Sequence, residues 1–120
     1  MRISYILLAP LLIALYGCQP EVPKQYSFAA SDWLLAKETG CFMCHNTGKN
    51  LLGPAWENVS ERYKNDPDAE AHLLNKIRNG GNGAWSTRTM PGYDESLLTT
   101  PNRKRLVNFI LALSRRNQAS

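Results

Sequence analysis

Two cysteines and a histidine stand close together at residues 41–45, in the order Cys-Phe-Met-Cys-His. Two thiols separated by two residues can reach the two vinyl groups along one edge of a porphyrin and become thioethers. The histidine that follows the second thiol is then carried beneath the ring, where an imidazole nitrogen can bind iron. The spacing of Cys41, Cys44 and His45 is therefore the attachment signature of a c-type haem, and it predicts one covalent haem c.

Two other kinds of site use paired cysteines, and both fit the rest of the chain less well. A redox-active dithiol closes a strand and opens a helix in a βαβ unit, whereas this sequence has no repeated strand pattern. A structural zinc site needs four Cys or His ligands at fixed spacing, and only Cys18 and His72 remain outside the motif. Haem attachment is therefore preferred to a dithiol, a zinc knuckle or a chance occurrence.

The iron of such a haem needs a second axial ligand opposite His45. Methionine, histidine, lysine, water and a diatomic gas are the candidates. Met1 would leave with an N-terminal signal and Met43 lies inside the covalent loop, so Met90 is the available methionine. The following residue, Pro91, removes an amide and stiffens the backbone beside the thioether. Met90 is therefore predicted as the ligand, with a gap-filling core residue as the alternative.

His72 is the other side chain that could bind iron, but it lies within a predicted helix. Leu73 and Leu74 already mark the buried side of that helix, so a solvated surface histidine is the simpler interpretation. With both axial positions filled, the iron has no open site for a substrate, and the sequence predicts no enzyme. A peroxidase, a nitrite-converting enzyme or a gas-binding sensor would need Met90 to be displaced.

The chain begins with Arg2 and a charge-free apolar run over residues 3–16, which is the layout of a secretory signal peptide. The following residues 15–18, Leu-Tyr-Gly-Cys, resemble a bacterial lipoprotein box, in which Cys18 is lipidated and becomes the new N-terminus. The resemblance to lipoproteins also implies, from Gln19, sorting to the outer membrane. The alternatives are a soluble periplasmic protein after ordinary cleavage, and retention at the inner membrane. Because haem c is attached outside the cytoplasm, the two signals agree.

The 120 residues allow one small domain. We predict a lipoprotein-type signal peptide over residues 1–17, a proline-containing tether over 18–27 and a folded domain over 28–120. Loss of Arg2 with the signal leaves 13 basic residues against 10 acidic ones. No basic stripe with interleaved aromatic residues appears, so a nucleic-acid partner is not expected.

The apolar spacing after the tether predicts an all-α fold. A first helix begins near residue 31 or 32 and ends at Gly40. A second carries Trp56, Val59 and Tyr63 at positions i, i+3 and i+7. A third follows residues 66–67, where Asp-Pro is typical of a helix start, and a fourth begins at residues 100–101. A domain of this size buries little apolar surface, and a buried haem would add to its hydrophobic core.

These stretches together resemble class I cytochromes c of the small bacterial type, the cytochrome c-551 or c8 group. The resemblance runs from Leu35 to Leu113. Besides residues 41–45, it rests on Gly53-Pro54-Ala55-Trp56, Lys76-Ile77-Arg78-Asn79-Gly80, Gly83-Ala84-Trp85 and Met90-Pro91. It implies about four short helices wrapped around one covalent haem. It also implies a one-electron carrier in a bacterial respiratory or related electron-transfer chain, with His and Met as the iron ligands.

The resemblance assigns further roles around the haem. Pro54 should offer its carbonyl to the outer nitrogen of His45, and Trp85 and Lys76 should each meet a haem propionate. The segment from Gly92 to Thr100 departs from the proline- and asparagine-rich loop of the family. Redox partner proteins should dock transiently at the exposed haem edge, and no small-molecule substrate is expected. The alternative functions are a monohaem subunit fixed in a larger membrane oxidoreductase complex and a gas-binding haem sensor.

Overall fold

The computed structural model describes residues 20–83 and 85–117. The predicted signal peptide and Cys18 lie outside the described residues, so the predicted lipid site stays a prediction. None of the helices within the described ranges has the length and hydropathy of a membrane-spanning segment.

The described part of the chain contains four α-helices, as the sequence predicts, and a short hairpin that it does not. The helices are α1 Ala30–Glu38, α2 Trp56–Tyr63, α3 Ala69–Asn79 and α4 Thr100–Asn117. Short 3-10 turns occupy Lys24–Ala29 and Cys41–Met43. The strands β1 Gly81–Gly83 and β2 Ser86–Met90 pair antiparallel between α3 and α4. The all-α class is confirmed, with this hairpin as the addition.

Helix α4 forms the centre of the core. It packs against α1, α2 and α3, and its apolar side is almost completely buried. The ring of Phe109 meets Tyr26 and Trp56 edge-on, with centroid separations of 6.1 and 5.9 Å. Such edge-to-face contacts are the arrangement that aromatic rings prefer. The other buried α4 residues are Leu106, Val107, Ile110 and Leu113.

Two helix starts differ from the predictions. The first helix begins at Ala30 without a side-chain cap, and Asp32 instead accepts a hydrogen bond from Arg105 Nε at 2.8 Å. The third begins at Ala69 rather than at residues 66–67. There the Asp66 carboxylate accepts the Asp68 amide at 2.9 Å, so the Asp-Pro pair forms a turn that precedes the helix.

The folded domain starts earlier than predicted. Tyr26 is buried, and its hydroxyl pairs with Thr47 Oγ1 at 2.5 Å. The turn Lys24–Ala29 therefore belongs to the core, and the predicted tether over 18–27 is too long by at least four residues. Burying the Tyr26 ring against Phe109 is more favourable than leaving it exposed to water in a linker.

Candidate haem site

A cavity of about 660 Å³ lies within the helical core. Its walls include Cys41, Cys44, His45 and Met90, so the predicted attachment and iron-binding residues meet in one place. The volume falls within the range of about 300–1,000 Å³ that is usual for cofactor sites. Most of the remaining lining is apolar, contributed by Leu52, Val59, Leu73, Ile77, Leu98, Leu106 and Ile110. Such walls suit a large flat apolar group.

The imidazole of His45 is held in a defined orientation. Its Nδ1–H donates to the carbonyl oxygen of Pro54 at 2.9 Å. Because a carbonyl can only accept, Nδ1 carries the proton and Nε2 keeps its lone pair for a metal. The ring stacks on Trp56 with centroids 5.7 Å apart. The backbone of Gly53 also lies against the imidazole, because a Cβ at Gly53 would stand 2.5 Å from Cε1 of His45.

The loop that carries His45 is fixed by its own backbone. The His45 amide donates to the Cys41 carbonyl at 2.9 Å, which closes the turn between the two cysteines. The Gly53 amide donates to the Cys44 carbonyl at 2.8 Å, and that bond brings the Gly53-Pro54 segment back to the imidazole. Local backbone contacts between residues 41 and 53 therefore fix the loop that carries Cys41, Cys44 and His45.

The thiols are half-buried and are not set up for disulfide exchange. Burial raises the pKa of the Cys41 thiol, and a contact of 3.3 Å with Thr39 Oγ1 only partly opposes that rise. Redox-active dithiols instead need a lowered thiol pKa. Within the described residues, no group of three or more His, Cys, Asp or Glu side chains is arranged to hold a metal ion. The raised pKa of Cys41 favours haem attachment over a redox-active dithiol.

Met90 ends strand β2 and is half-buried at the cavity. Its backbone crosses close to the end of α3, because a Cβ at Gly80 would lie 2.3 Å from the Met90 carbonyl oxygen. Three residues further, the Tyr93 amide donates to the Ile77 carbonyl at 2.8 Å. The contacts around Met90 thus come from α3, far from the His45 loop in sequence.

Lys76 and Trp85 line the same cavity. Lys76 Nζ donates to the carbonyls of Gly80 at 3.3 Å and Asn82 at 3.2 Å, so two of its three N–H groups are used. The ring of Trp85 is 38% exposed, and the guanidinium of Arg62 lies 5.2 Å from its centre. This wall therefore presents cations and an indole where a carboxylate group could be received.

The donor set fits an iron porphyrin. Two thiols and an imidazole with a free Nε2 come from one loop, a thioether comes from β2, and apolar side chains fill the walls between them. The sequence profile of the family described as "Cytochrome c" matches residues 34–114. This chain belongs to the cytochrome c family.

Relatives of this cytochrome are similar over most of their own length. It is 35% identical to cytochrome c-552 of Hydrogenobacter thermophilus, a match that covers 66% of this chain and 78% of the relative. It is 34% identical to cytochrome c-551 of Allochromatium vinosum, with 71% and 88% covered. The crystal structure of Nitrosomonas europaea cytochrome c552 superposes with a TM-score of 0.62 at 31% identity, covering 68% of this chain and 98% of that one.

These similarities establish the cofactor and the general function. Members of the family carry one covalent haem c, so this cytochrome is a monohaem electron carrier, and Cys41 and Cys44 fit thioether attachment. The predicted fold class, cofactor and electron-transfer function are confirmed. Bacterial cytochromes c of this kind are typically periplasmic.

Several cavity residues of this cytochrome were not predicted as site residues. Among them are Gly53, Arg62 and Tyr93. Gly53 had a signal, because it precedes the proline that contacts His45. Arg62 looks like any helical surface cation, and Tyr93 lies in the segment that departs from the family. His72 is exposed, as predicted, but its ring is 5.2 Å from that of Tyr63 and it also borders the cavity.

Proposed function

We propose that this cytochrome is a periplasmic one-electron carrier whose haem iron is bound axially by His45 and Met90. The observation that carries the proposal is that Met90 and a correctly protonated His45 line one largely apolar cavity. The haem, when bound, supplies a metal that alternates between the ferrous and ferric states. Because both axial ligands would come from the protein, the iron would have no open site for a small-molecule substrate.

The side chains around the cavity would determine the reduction potential of the haem. The Pro54 carbonyl fixes the tautomer of His45 and increases the basicity of its free nitrogen. A thioether such as that of Met90 favours the ferrous state and raises the potential relative to a second histidine. The apolar walls act in the same direction, because added positive charge is poorly solvated there.

Lys76 and Trp85 are proposed to bind the two haem propionates. Lys76 has one N–H left after its two carbonyl contacts, and the indole N–H of Trp85 is a donor only. Arg62, which lies over the Trp85 ring, adds a positive charge at the same wall. Charge-assisted hydrogen bonds of this kind would orient the ring within the cavity.

Redox partners are proposed to dock where the haem attachment loop reaches the surface. Met43 is 80% exposed there, and Leu51 and Leu52 are exposed in the stretch that returns to the loop through the Gly53 amide and the Cys44 carbonyl. A small apolar patch of this kind suits transient interfaces. A basic rim that would steer acidic partners is proposed from Lys37, Lys49, Lys76, Arg78 and Arg88. A fixed subunit of a larger membrane complex is the alternative, and co-purification from membranes would reveal it.

The protein is proposed to be held at the periplasmic side of the outer membrane by a lipid on Cys18. The folded domain starts near Lys24, so at most the five residues 19–23, or about 20 Å of extended chain from Cys18 to Lys24, separate it from the lipid. Cys18→Ala should release the cytochrome into the soluble periplasmic fraction. If the variant stays with the membranes, Cys18 is not the anchor.

The iron ligation is tested by a Met90→Ala variant. The oxidised wild-type protein should show the weak methionine-to-iron absorption band, and Met90→Ala should lose it while keeping its haem. The potential should fall by on the order of 100 mV, a fraction of the roughly 0.8 V over which axial ligands tune haem. The reduced variant should bind carbon monoxide rapidly, unlike the wild type.

Met43→Ala is the matched control, because Met43 is an exposed methionine within the attachment loop. It should leave the band, the potential and the slow reaction with carbon monoxide unchanged. If Met90→Ala kept the methionine-to-iron band and the wild-type haem potential, Met90 would not be the iron ligand. Rapid binding of carbon monoxide by the wild type would instead favour a gas-binding protein.

A further inference from the structure

A buried cation lies one layer behind the cavity. The side chain of Arg103, in the first turn of α4, is only 3% exposed. Arginine is almost never buried without partners, because removing its charge from water is costly. So complete a burial indicates that the position needs this side chain for a specific set of contacts.

The partners of Arg103 are mostly backbone carbonyls. Its Nη2 donates to the carbonyl oxygens of Leu98 at 2.7 Å and of Tyr93 at 3.0 Å, and its Nη1 donates to Thr100 Oγ1 at 3.2 Å. Glu95 is an outlying ion-pair partner, with 3.6 Å between Nη2 and Oε2 and a side chain that is 59% exposed. Among the described residues, the buried Nε has no hydrogen-bond partner. The guanidinium is therefore committed to the backbone of the segment over residues 93–98.

That segment is part of the cavity wall. Tyr93 and Leu98 both line the cavity, and Leu98 is buried. At its start the segment is tied to α3 through the Tyr93 amide and the Ile77 carbonyl. The chain that continues from Met90 is therefore held by α3 on one side and by α4, through Arg103, on the other.

We propose that Arg103 is a positioning residue for Met90. Its planar fork holds the carbonyls of Tyr93 and Leu98 through Nη2 and the Thr100 hydroxyl through Nη1, so the chain after β2 keeps the path that presents the Met90 thioether to the cavity. Arg103 is not among the residues that line the cavity, so it would act on Met90 through the wall that it holds. The proposal rests on the proposed function, since it assumes that Met90 is an iron ligand.

The test measures how easily added imidazole displaces the ligand opposite His45 in the oxidised holoprotein. Arg103→Lys keeps the charge but loses the fork, and Arg103→Met loses both. Both variants should bind imidazole about tenfold more tightly than the wild type, a difference of about 1.4 kcal/mol, because the charge-assisted hydrogen bonds that hold the wall are lost or weakened. Their methionine-to-iron band should also weaken.

Arg105→Met is the matched control. Arg105 lies on the same helix, but it is exposed and pairs with Asp32 rather than with the segment over 93–98. It should bind imidazole as the wild type does. If Arg103→Met yields no holoprotein, Arg103→Lys decides the question alone.

Two results would overturn the proposal. One is wild-type imidazole affinity in Arg103→Lys together with a lowered melting temperature, which would make Arg103 a purely structural residue. The other is equal tightening of imidazole binding in Arg105→Met. Met90→Ala separates these from a failure of the proposed function, because an unchanged band in that variant would mean that Met90 is not the ligand at all.

Discussion

The two walls that carry the proposed iron ligands are built in different ways. The His45 wall is a single stretch of chain, in which the imidazole reaches Pro54 nine residues away and the Cys44 carbonyl accepts the Gly53 amide. Its contacts are local, so they form whenever this stretch adopts its own turn. Tertiary structure adds mainly the stacked ring of Trp56.

The Met90 wall is assembled from separate elements. Met90 ends a two-stranded hairpin, its backbone crosses Gly80 at the end of α3, and the following segment is tied to Arg103 of α4. Few of these contacts survive if α3 and α4 move apart. Local openings occur where stability depends on few packed contacts, so the Met90 wall should open before the His45 wall does.

The largest expected effect is that of Gly80→Ala, which breaks the Met90 wall. Gly80 has φ 64° and ψ −140°, a conformation that is essentially restricted to glycine, and a Cβ there would lie 2.3 Å from the Met90 carbonyl oxygen. We expect a loss of about 3 kcal/mol in unfolding free energy. Imidazole should also bind more tightly, since Met90 is displaced. Chemical unfolding and imidazole titration measure the two effects.

Gly83→Ala is the control for this variant. Gly83 lies in the partner strand, and a Cβ there would meet no atom within 4 Å. Stability and imidazole affinity should therefore stay close to the wild-type values. Equal effects of the two substitutions would mean that the hairpin as a whole, rather than the approach of Gly80 to Met90, determines the ligand position.

A smaller and different effect is expected from Gly53→Ala, which disturbs the His45 wall. The added Cβ would lie 2.5 Å from Cε1 of a ring that Pro54 prevents from turning away. We expect a loss of about 2 kcal/mol and a lower yield of haem-loaded protein, without the tighter imidazole binding of Gly80→Ala. Absorbance per mole of purified protein measures haem loading.

The control for the His45 wall is Gly48→Ala in the same loop. A Cβ at Gly48 would meet only the flexible Glu57 carboxylate, at 3.4 Å, and the carboxylate can move aside. This variant should load haem normally. If Gly53→Ala also loads haem normally and keeps its stability, the imidazole is less firmly held than its contacts suggest.

The same contrast explains what could be predicted from the sequence. The residues of the His45 wall lie within one short stretch, so their spacing in the sequence was enough to predict haem attachment. Helices α2, α3 and α4 were recognisable from apolar periodicity, which α2 shows most clearly, whereas α1 has almost none and was recognisable only from its ends. Residues 81–83 have no apolar side chain and no alternation, so the hairpin gave no strand signal.

Arg103 shows why the rest could not be predicted. It stands among Asn102, Lys104 and Arg105, a polar run that reads as the solvated start of a helix. It is buried because the segment over residues 93–98 packs across it, and such a tertiary contact cannot be recognised from the local sequence. Tyr26 is similar, since its burial depends on meeting Phe109 more than eighty residues later.

The smallest expected effect is a pH-dependent one within the segment after Met90. Hydrogen bonds from the Thr100 amide and hydroxyl lower the pKa of Glu95, and the nearby guanidinium of Arg103 adds to them. A lowered pKa in the folded protein contributes stability that is fully present above the ordinary glutamate pKa of about 4.3. That contribution is lost as the pH falls through the lowered value.

Glu95→Gln keeps the shape and an acceptor oxygen but removes the charge. The variant should therefore be slightly less stable than the wild type at pH 7, and the difference should shrink by about pH 3, because it falls once the pH is below the ordinary glutamate pKa and vanishes only below the lowered one. Urea unfolding of the two holoproteins at both pH values measures the difference. A gap that is the same at pH 7 and pH 3 would show that the Glu95 charge does not stabilise the Met90 wall, leaving the Arg103 carbonyl contacts to do so alone.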